Sequence, residues 1–243
     1  MKCAAVLVLA VLLFARSAHA AEQVDMALVL VTDVSRSIDD SEYDLEKKGT
    51  ASAFLDPTVQ AAIHSGPNGA IAVAYIEFAG AQQVNTVIEF TIIRDFNTAR
   101  DFAEKLGELP RSFVGRTAIG SGIDAAVQLL DKTPFDTSRR VIDVCGDGTS
   151  NSGRDIIAAR DDALKDGIVI NGLTIINDHP VNYNFAHVAP PGGLTNWYRE
   201  HVIGGPGSFV LEVHDFQTFG QAMRRKLISE IASLLGPAPA KRG

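Results

Sequence analysis

Continuous apolar runs alternate with amphipathic stretches along the chain, and this alternation predicts buried strands separated by helices. The first run, Met26 to Val31, ends in Thr32-Asp33 and is typical of a strand buried on both faces. The remaining runs predict strands over residues 70–78, 84–93, 140–145, 168–176 and 208–213. Helical periodicity lies over residues 40–54, 97–106, 118–130, 154–165, 194–202 and 216–235.

This order of elements predicts an α/β fold of three layers, α/β/α, around a mostly parallel central sheet of about six strands. The short connection Ala79–Gln83 between two β-rich runs predicts a hairpin, and therefore one antiparallel edge strand. We find no linker or internal repeat, so we predict a single domain over residues 21–235. Residues 236–243 have nothing to bury and are expected to form a flexible tail.

The first twenty residues are expected to be a cleaved signal peptide. Met1-Lys2 gives a positive start, Ala4 to Ala15 is almost wholly apolar, and Ala18-His19-Ala20 places small residues where signal peptidase cleaves. The apolar run is too short to span a membrane comfortably. We therefore predict cleavage after Ala20 and a periplasmic or secreted protein that does not span the membrane.

Charge and cysteine content exclude several classes of function. The chain has 22 basic and 29 acidic side chains, a net charge of -7, which argues against a nucleic-acid-binding protein. Cleavage after Ala20 would leave Cys145 alone, which excludes a disulfide framework and a cysteine-based zinc site. Because Cys145 lies in an apolar run, we expect a buried, unreactive thiol.

Oxygen-bearing side chains follow two predicted strands and precede one predicted helix. The first strand leads into Asp33-Val34-Ser35-Arg36-Ser37, Thr117 precedes the helix over 118–130, and Asp147 follows the strand over 140–145. Functional loops of a parallel sheet gather at the carboxyl ends of its strands, so we expect these side chains to converge. Hydroxyl and carboxylate oxygens suit a hard divalent cation; Mg²⁺ is the predicted ion, with Mn²⁺ or Ca²⁺ as alternatives.

Each of these residues also has a local explanation. Ser37 with Asp40 fits a helix capping box, Thr117 stands where a helix N-cap belongs, and Asp147-Gly148 is a common turn signal. These explanations stay open for each position alone. The joint occurrence at independently predicted element ends favours the metal site.

The segments Asp33-x-Ser35-x-Ser37, Gly115-Arg116-Thr117 and Gly146-Asp147-Gly148 resemble the metal-ion-dependent adhesion site of von Willebrand factor A domains. With residues 116–123, 140–144 and 202–207, they also resemble an uncharacterised family of exported bacterial A-domain-like proteins. The resemblance implies that Ser35 and Ser37 bind the cation through their hydroxyls. It further implies that Thr117 joins or leaves the coordination and that Asp33 and Asp147 act directly or through water.

We therefore predict a non-enzymatic, cation-dependent binding module. The resemblance implies that an Asp or Glu of an unidentified partner protein completes the metal coordination. The alternative is a metal-dependent hydrolase or phosphatase using the same residues. One type of phosphatase would need a second Asp where Ser35 stands, and the chain has no Walker-type phosphate loop. The glycine pattern at Gly120 to Ala125 follows no predicted strand and does not indicate a dinucleotide site.

Other side chains keep two interpretations. Trp197, Tyr198 and Phe209 lie near a long Pro- and Gly-rich segment and could form a partner-binding patch or part of the core. Asp143, in the middle of a predicted strand, would need a partner if buried; Arg140 or a helix amide is expected. Glu77 is either structural in the same way or faces water.

Overall fold

The structure, a computed structural model, describes residues 21–176 and 189–232 and is built around a six-stranded sheet. The strands are β1 (Glu22–Gln23), β2 (Met26–Asp33), β3 (Ile71–Phe78), β4 (Val84–Ile93), β5 (Phe135–Asp136), β6 (Arg140–Gly146), β7 (Val169–Ile175) and β8 (Val210–Val213). The sheet order is β4-β3-β2-β6-β7-β8, with β1 and β5 forming a separate parallel pair. Only the pairing of β3 with β4 is antiparallel in the large sheet, which confirms the predicted hairpin and edge strand.

Helices cover both faces of the sheet and give the predicted three layers. They are α1 (Asp40–Leu55), α2 (Pro57–His64), α3 (Phe96–Glu108), α4 (Ile119–Asp131), α5 (Ile156–Lys165), α6 (Leu194–His201) and α7 (Phe219–Ala232), the last preceded by a 3₁₀ turn, Phe216–Thr218. One apolar core lies between the sheet and the layer of α1, α2, α3 and α7. A second core joins α4, α5 and α6 to the opposite face. The α/β fold class is therefore confirmed.

Most predicted elements lie within two residues of the observed ones, but α2 and the pair β1–β5 were not predicted. Helix α2 follows α1 almost immediately because Asp56, the residue that ends α1, also caps α2 through a 2.8 Å bond from the Thr58 amide. Pro57 takes the first helical position, where it needs no amide partner. Pro57, which in the sequence suggests the end of a helix, thus begins one.

Two of the capping explanations are wrong. Helix α1 is capped by Asp39 and closes its capping box with Glu42, so Ser37 has no role in it. Helix α4 begins after Ala118 and has no side-chain cap, so Thr117 is not an N-cap. Neither hydroxyl is therefore used as a helix cap.

A fully buried ion cluster joins β6 to α7 and corrects the expected partner of Asp143. The Lys226 ammonium lies 2.7 Å from Asp143 Oδ1 and 2.6 Å from Glu230 Oε1. Asn171 donates to Glu230 Oε1 at 2.8 Å, and Lys226 Nζ lies 4.9 Å from the Phe209 ring centroid. Burial raises the pKa of Asp143 to about 7, even though Lys226 opposes that change. Lys226, rather than Arg140 or a helix amide, is the partner.

Three predictions lie wholly or partly outside the described residues. These are the signal peptide over residues 1–20, the flexible tail over 236–243 and the last three positions of the helix over 216–235. Part of the long segment before Gly207 also lies outside them. Among the described residues, the helices are all too short or too polar to cross a bilayer.

Candidate metal site

Strand β2 ends at Asp33, whose carboxylate fixes the turn that follows. Asp33 Oδ1 accepts the Ser35 amide at 2.7 Å, which folds the chain back over the strand end. The hydroxyls of Ser35 and Ser37 consequently lie 3.1 Å apart. Alternate residues of this loop thus direct their oxygens to the same place.

Two distant segments complete the cluster at the carboxyl edge of the sheet. Ser37 Oγ donates to Asp147 Oδ1 at 2.8 Å, just after β6, and Thr117 Oγ1 donates to Ser35 Oγ at 3.2 Å, just before α4. The structure therefore brings together all five residues singled out in the sequence. Asp33, Ser35 and Thr117 are at most 1 % exposed, whereas Ser37 and Asp147 are half-buried and form the accessible side of the cluster.

The segment that carries Thr117 is held by hydrogen bonds to its neighbours. The Ala118 amide donates to the Ala79 carbonyl at 2.8 Å, at the end of β3. Asn151 accepts the Thr117 amide through Oδ1 at 3.1 Å and donates its own amide to the Thr117 carbonyl at 2.8 Å. The backbone around Thr117 is thereby fixed from two sides.

Arg111 holds the loop that contains the two serines. Its Nη2 donates to the carbonyls of Val34, Ser35 and Ile38 at 2.8, 2.7 and 2.9 Å. Only 11 % of its side chain is exposed. The guanidinium therefore binds the backbone of the loop that carries Ser35 and Ser37.

Glu77 secures the segment that carries Arg111. Its carboxylate accepts the Tyr43 hydroxyl at 2.7 Å and the Ser112 amide at 2.8 Å. Glu77 is fully buried, so of its two interpretations the structural one is confirmed and the water-facing one is wrong.

The electrostatics of the cluster favour a cation. Burial and, next, the Asp147 carboxylate raise the pKa of Asp33 well above its usual value. Asp33 Oδ2 is buried and has no hydrogen-bond partner among the described residues. A buried, unpaired carboxylate oxygen is costly unless a proton or cation compensates it. With three hydroxyls and two carboxylates, the donor set fits a hard divalent ion.

The five described side chains of this cluster are hydroxyl and carboxylate groups, with no histidine or cysteine among them. Within residues 21–176 and 189–232, no group of three or more His, Cys, Asp or Glu side chains could hold a metal ion. A cation at this edge would therefore depend on Ser35, Ser37 and Thr117 as much as on the carboxylates. Such oxygen-only sites select by charge and size rather than by softness.

Glu46 of α1 is a buried acidic neighbour of the cluster. Burial, with smaller contributions from Asp33, Asp147 and Glu77, raises its pKa to about 8, although the nearby Cys145 thiol opposes the rise. Cys145 is buried, as expected from its apolar surroundings. The Glu46 carboxyl consequently keeps its proton to a higher pH than an ordinary glutamate does.

Replacing Glu46 by glutamine is expected to flatten the pH dependence of stability. A carboxyl whose pKa is about 8 folded and 4.5 unfolded binds its proton more tightly in the folded state. Its contribution therefore decreases as the pH rises between these values, by up to about 1.4 kcal/mol per pH unit. Urea unfolding in EDTA from about pH 5 to pH 8 should show a shallower decrease for Glu46→Gln. Exposed Glu104→Gln is the control, and parallel curves for wild type and Glu46→Gln would contradict the assignment.

Sequence reasoning missed three residues around the cluster. Arg111 and Asn151 lie in irregular segments, where no periodicity marks a side chain as a loop-holding group. Glu46 lies within α1 at a buried position, and a lone glutamate in a helix ordinarily faces solvent. The one sequence signal for burial of Glu46 is its helical spacing from Tyr43, Thr50 and Ala53, which lie on the same buried face of α1.

A family model with the description "Protein of unknown function (DUF1194)" matches residues 23–235 of the chain. No curated protein matches the chain. The sequence similarity therefore defines a family and leaves its function open.

Several solved structures are similar to this chain in fold. Proximal thread matrix protein 1 from the mussel byssus, in a structure with a zinc-occupied MIDAS motif, is 17 % identical with a TM-score of 0.59, covering 87 % of this chain and 47 % of that one. A von Willebrand factor type A protein from Catenulispora acidiphila is 16 % identical with a TM-score of 0.56, covering 88 % and 43 %.

The pilus adhesin SpaC from Lactobacillus rhamnosus GG is 12 % identical with a TM-score of 0.55, covering 88 % of this chain and 31 % of the adhesin. The chain thus spans less than half the length of each of these proteins. Together these likenesses show the fold.

Proposed function

We propose that this chain, which belongs to the family described as "Protein of unknown function (DUF1194)" and has a von Willebrand factor A-like fold, is an exported metal-dependent protein-binding module. It would hold Mg²⁺ at Asp33, Ser35, Ser37, Thr117 and Asp147 and bind an acidic side chain of a partner protein. The observation that carries the proposal is the convergence of these five side chains around a buried carboxylate oxygen that has no hydrogen-bond partner in the described part of the chain.

The cluster has a buried side, which holds Asp33, and an accessible side. Asp33 is oriented by the Ser35 amide and supplies negative charge from below. Ser37 and Asp147 lie on the half-buried side, where a partner can approach. A divalent ion held by such a set offers an electrophilic position to an incoming carboxylate.

Two structural neighbours agree with this proposal in what their names state. The mussel byssus protein carries a zinc-occupied MIDAS motif, and SpaC is a pilus adhesin. Neither name describes an enzyme. These proteins support a metal-dependent binding role over the hydrolase alternative.

The rim of the cluster supports an acidic partner. Arg36 lies between the two serines, Arg116 directly precedes Thr117, and both are exposed. Val114, on the same loop as Arg116, is 63 % exposed. The whole chain carries a charge of -7, so these arginines would locally attract a carboxylate that the remaining surface repels. We infer that association with such a partner weakens as salt concentration rises.

Export and domain extent are part of the proposal. A signal peptide over residues 1–20 would deliver residues 21–235, as one domain, to the periplasm or the medium. Mass spectrometry of the purified protein should then give an N-terminus at Ala21. Retention of residues 1–20 would remove the localisation from the proposal and leave the metal site unaffected.

Metal titration tests the proposal directly. Calorimetry with Mg²⁺, and electron paramagnetic resonance with Mn²⁺, should detect one site in the wild type and an affinity lower by at least about tenfold in Asp33→Ala and Ser37→Ala. Exposed Asp44→Ala should bind like the wild type. A wild type that binds neither ion, or an Asp33→Ala variant with unchanged affinity, would refute the site.

A labelled peptide then tests the acidic partner. A Gly-Gly-Asp-Gly-Gly peptide should bind in Mg²⁺ and not in EDTA, and its Asn counterpart should bind in neither. Equal binding of both peptides would contradict carboxylate recognition. Hydrolysis of p-nitrophenyl phosphate that requires Mg²⁺ and is lost in Asp33→Ala would instead favour the phosphatase alternative.

A further inference from the structure

Tyr198 is a fully buried residue of α6 that belongs to the core between α4, α5, α6 and the sheet. The core interpretation is therefore right for this aromatic residue. Its hydroxyl, however, has no hydrogen-bond partner among the described residues. Buried tyrosine hydroxyls ordinarily find a partner, so an unpaired one requires an explanation.

Two glycines on adjacent strands make room for the Tyr198 ring. A Cβ atom on Gly172 of β7 would lie 2.9 Å from Tyr198 Cδ1, and one on Gly146 of β6 would lie 2.9 Å from Tyr198 Oη. Gly172 pairs with Val144, two residues before Gly146, so both glycines face the same side of the sheet. The ring follows this glycine groove, and its hydroxyl reaches the carboxyl edge of β6.

The Tyr198 hydroxyl and the second carboxylate oxygen of Asp33 both lie close to one point, the Cβ position of Gly146. The same Cβ position on Gly146 lies 3.2 Å from Asp33 Oδ2, the oxygen for which residues 21–176 and 189–232 supply no hydrogen-bond partner. Asp33 Oδ1 already accepts the Ser35 amide, so Oδ2 is the oxygen still to be oriented. Burial and, next, the Asp33 charge raise the pKa of Tyr198 well above its usual value, so the phenol keeps its proton and can act as a donor.

We propose that Tyr198 is a positioning residue of the metal site: its hydroxyl donates a hydrogen bond, through one bridging water molecule, to Asp33 Oδ2. This inference rests on the proposed metal-binding function and extends it to α6, outside the three segments that carry the cluster. A donor behind a ligating carboxylate fixes its orientation, and loss of such partners typically lowers metal affinity by about 10–100-fold.

The Tyr198→Phe variant tests the inference. Mg²⁺ affinity measured by calorimetry should decrease by about tenfold, because the ring still fills the groove but Asp33 Oδ2 loses its donor. Mg²⁺ should also change the tyrosine ultraviolet absorption of the wild type, and this difference spectrum should be lost in Tyr198→Phe. Tyr75→Phe, which alters a buried tyrosine of the opposite core, is the matched control and should keep both the affinity and the signal.

A double-mutant cycle with Gly146→Ala tests the geometry without metal. The added methyl group meets Tyr198 Oη first, so Gly146→Ala should destabilise the wild type more than it destabilises Tyr198→Phe. Additive effects on urea unfolding in EDTA would overturn the placement of the hydroxyl.

The outcomes separate this inference from the function on which it rests. A wild type that binds Mg²⁺ with an unchanged Tyr198→Phe variant overturns the role of Tyr198 and leaves the metal site intact. A wild type that binds neither Mg²⁺ nor Mn²⁺ refutes the metal site, and the role of Tyr198 with it. Should Tyr198→Phe fail to fold, a Mg²⁺-induced tyrosine difference spectrum that the wild type shows and Tyr75→Phe keeps would support the inference, and a Mg²⁺-binding wild type without such a spectrum would overturn it.

Discussion

The Lys226→Met variant is expected to lose about 3–5 kcal/mol of unfolding free energy, because it leaves two carboxyl groups buried without their cation. Lys226 is 0 % exposed and contacts Asp143 at 2.7 Å and Glu230 at 2.6 Å. Methionine keeps the length and apolar stem of lysine, so the change removes charge with little loss of volume. Urea unfolding at neutral pH in EDTA measures the effect.

The pH dependence of this loss separates charge from packing. The pKa of Asp143 is about 7 even beside Lys226, so without the ammonium the carboxyl group is readily protonated. The loss in Lys226→Met should therefore be smaller at about pH 5 than at about pH 8. Arg225→Met changes an exposed cation one residue away on α7 and should stay within about 0.5 kcal/mol of the wild type. A loss equal at both pH values would indicate a packing defect instead.

The Arg111→Met variant is expected to lose about 3 kcal/mol of stability, since three loop carbonyls lose a charged donor. Arg111 Nη2 serves Val34, Ser35 and Ile38, whereas the ion pair from Nη1 to Asp40 involves a carboxylate that is 98 % exposed. That ion pair contributes little, so the loss reflects the backbone contacts. The stability of Arg111→Lys should fall between that of the wild type and that of Arg111→Met, because an ammonium group keeps the charge but lacks the planar fork of donors.

The same substitution should weaken Mg²⁺ binding by at least about tenfold if Ser35 and Ser37 are ligands. Thermal or urea unfolding gives the stability, and calorimetry under conditions where the variant is folded gives the affinity. Exposed Arg100→Met on α3 is the control for both. A destabilised Arg111→Met with unchanged Mg²⁺ affinity would show that the loop keeps its shape without the guanidinium.

Local patterns predicted the central strands because burial on both faces leaves an unbroken apolar run. Helical spacing of apolar residues predicted most of the helices. Strand β2 has all eight residues buried, and its predicted end at Asp33 is the observed end. Helix α2 was not predicted because Asp56 both ends α1 and caps α2, and Pro57, the first residue of α2, is ordinarily a sign that a helix has ended. The two-residue strands β1 and β5 are too short to show any period.

The candidate site was predicted in its members but not in its surroundings. Asp33 ends β2, Ser35 and Ser37 follow that strand, and Thr117 and Asp147 stand at predicted element ends. The parallel topology alone therefore places all five residues at one edge. Their shared hydrogen bonds, and the failure of the capping explanations, required the structure. Arg111 and Asn151 act on backbone groups, and nothing in their sequence context indicates which ones.

The sequence by itself determined the α/β class, the antiparallel edge and the candidate oxygen donors, because the hydrophobic period and the order of elements along the chain can be read from neighbouring residues. Only the tertiary structure decided that Asp143 meets Lys226 and that the Tyr198 hydroxyl reaches the Asp33 side of Gly146. Those pairings depend on how α6 and α7 pack on the sheet. Packing of this kind joins residues far apart in the chain, for which local pattern carries no information.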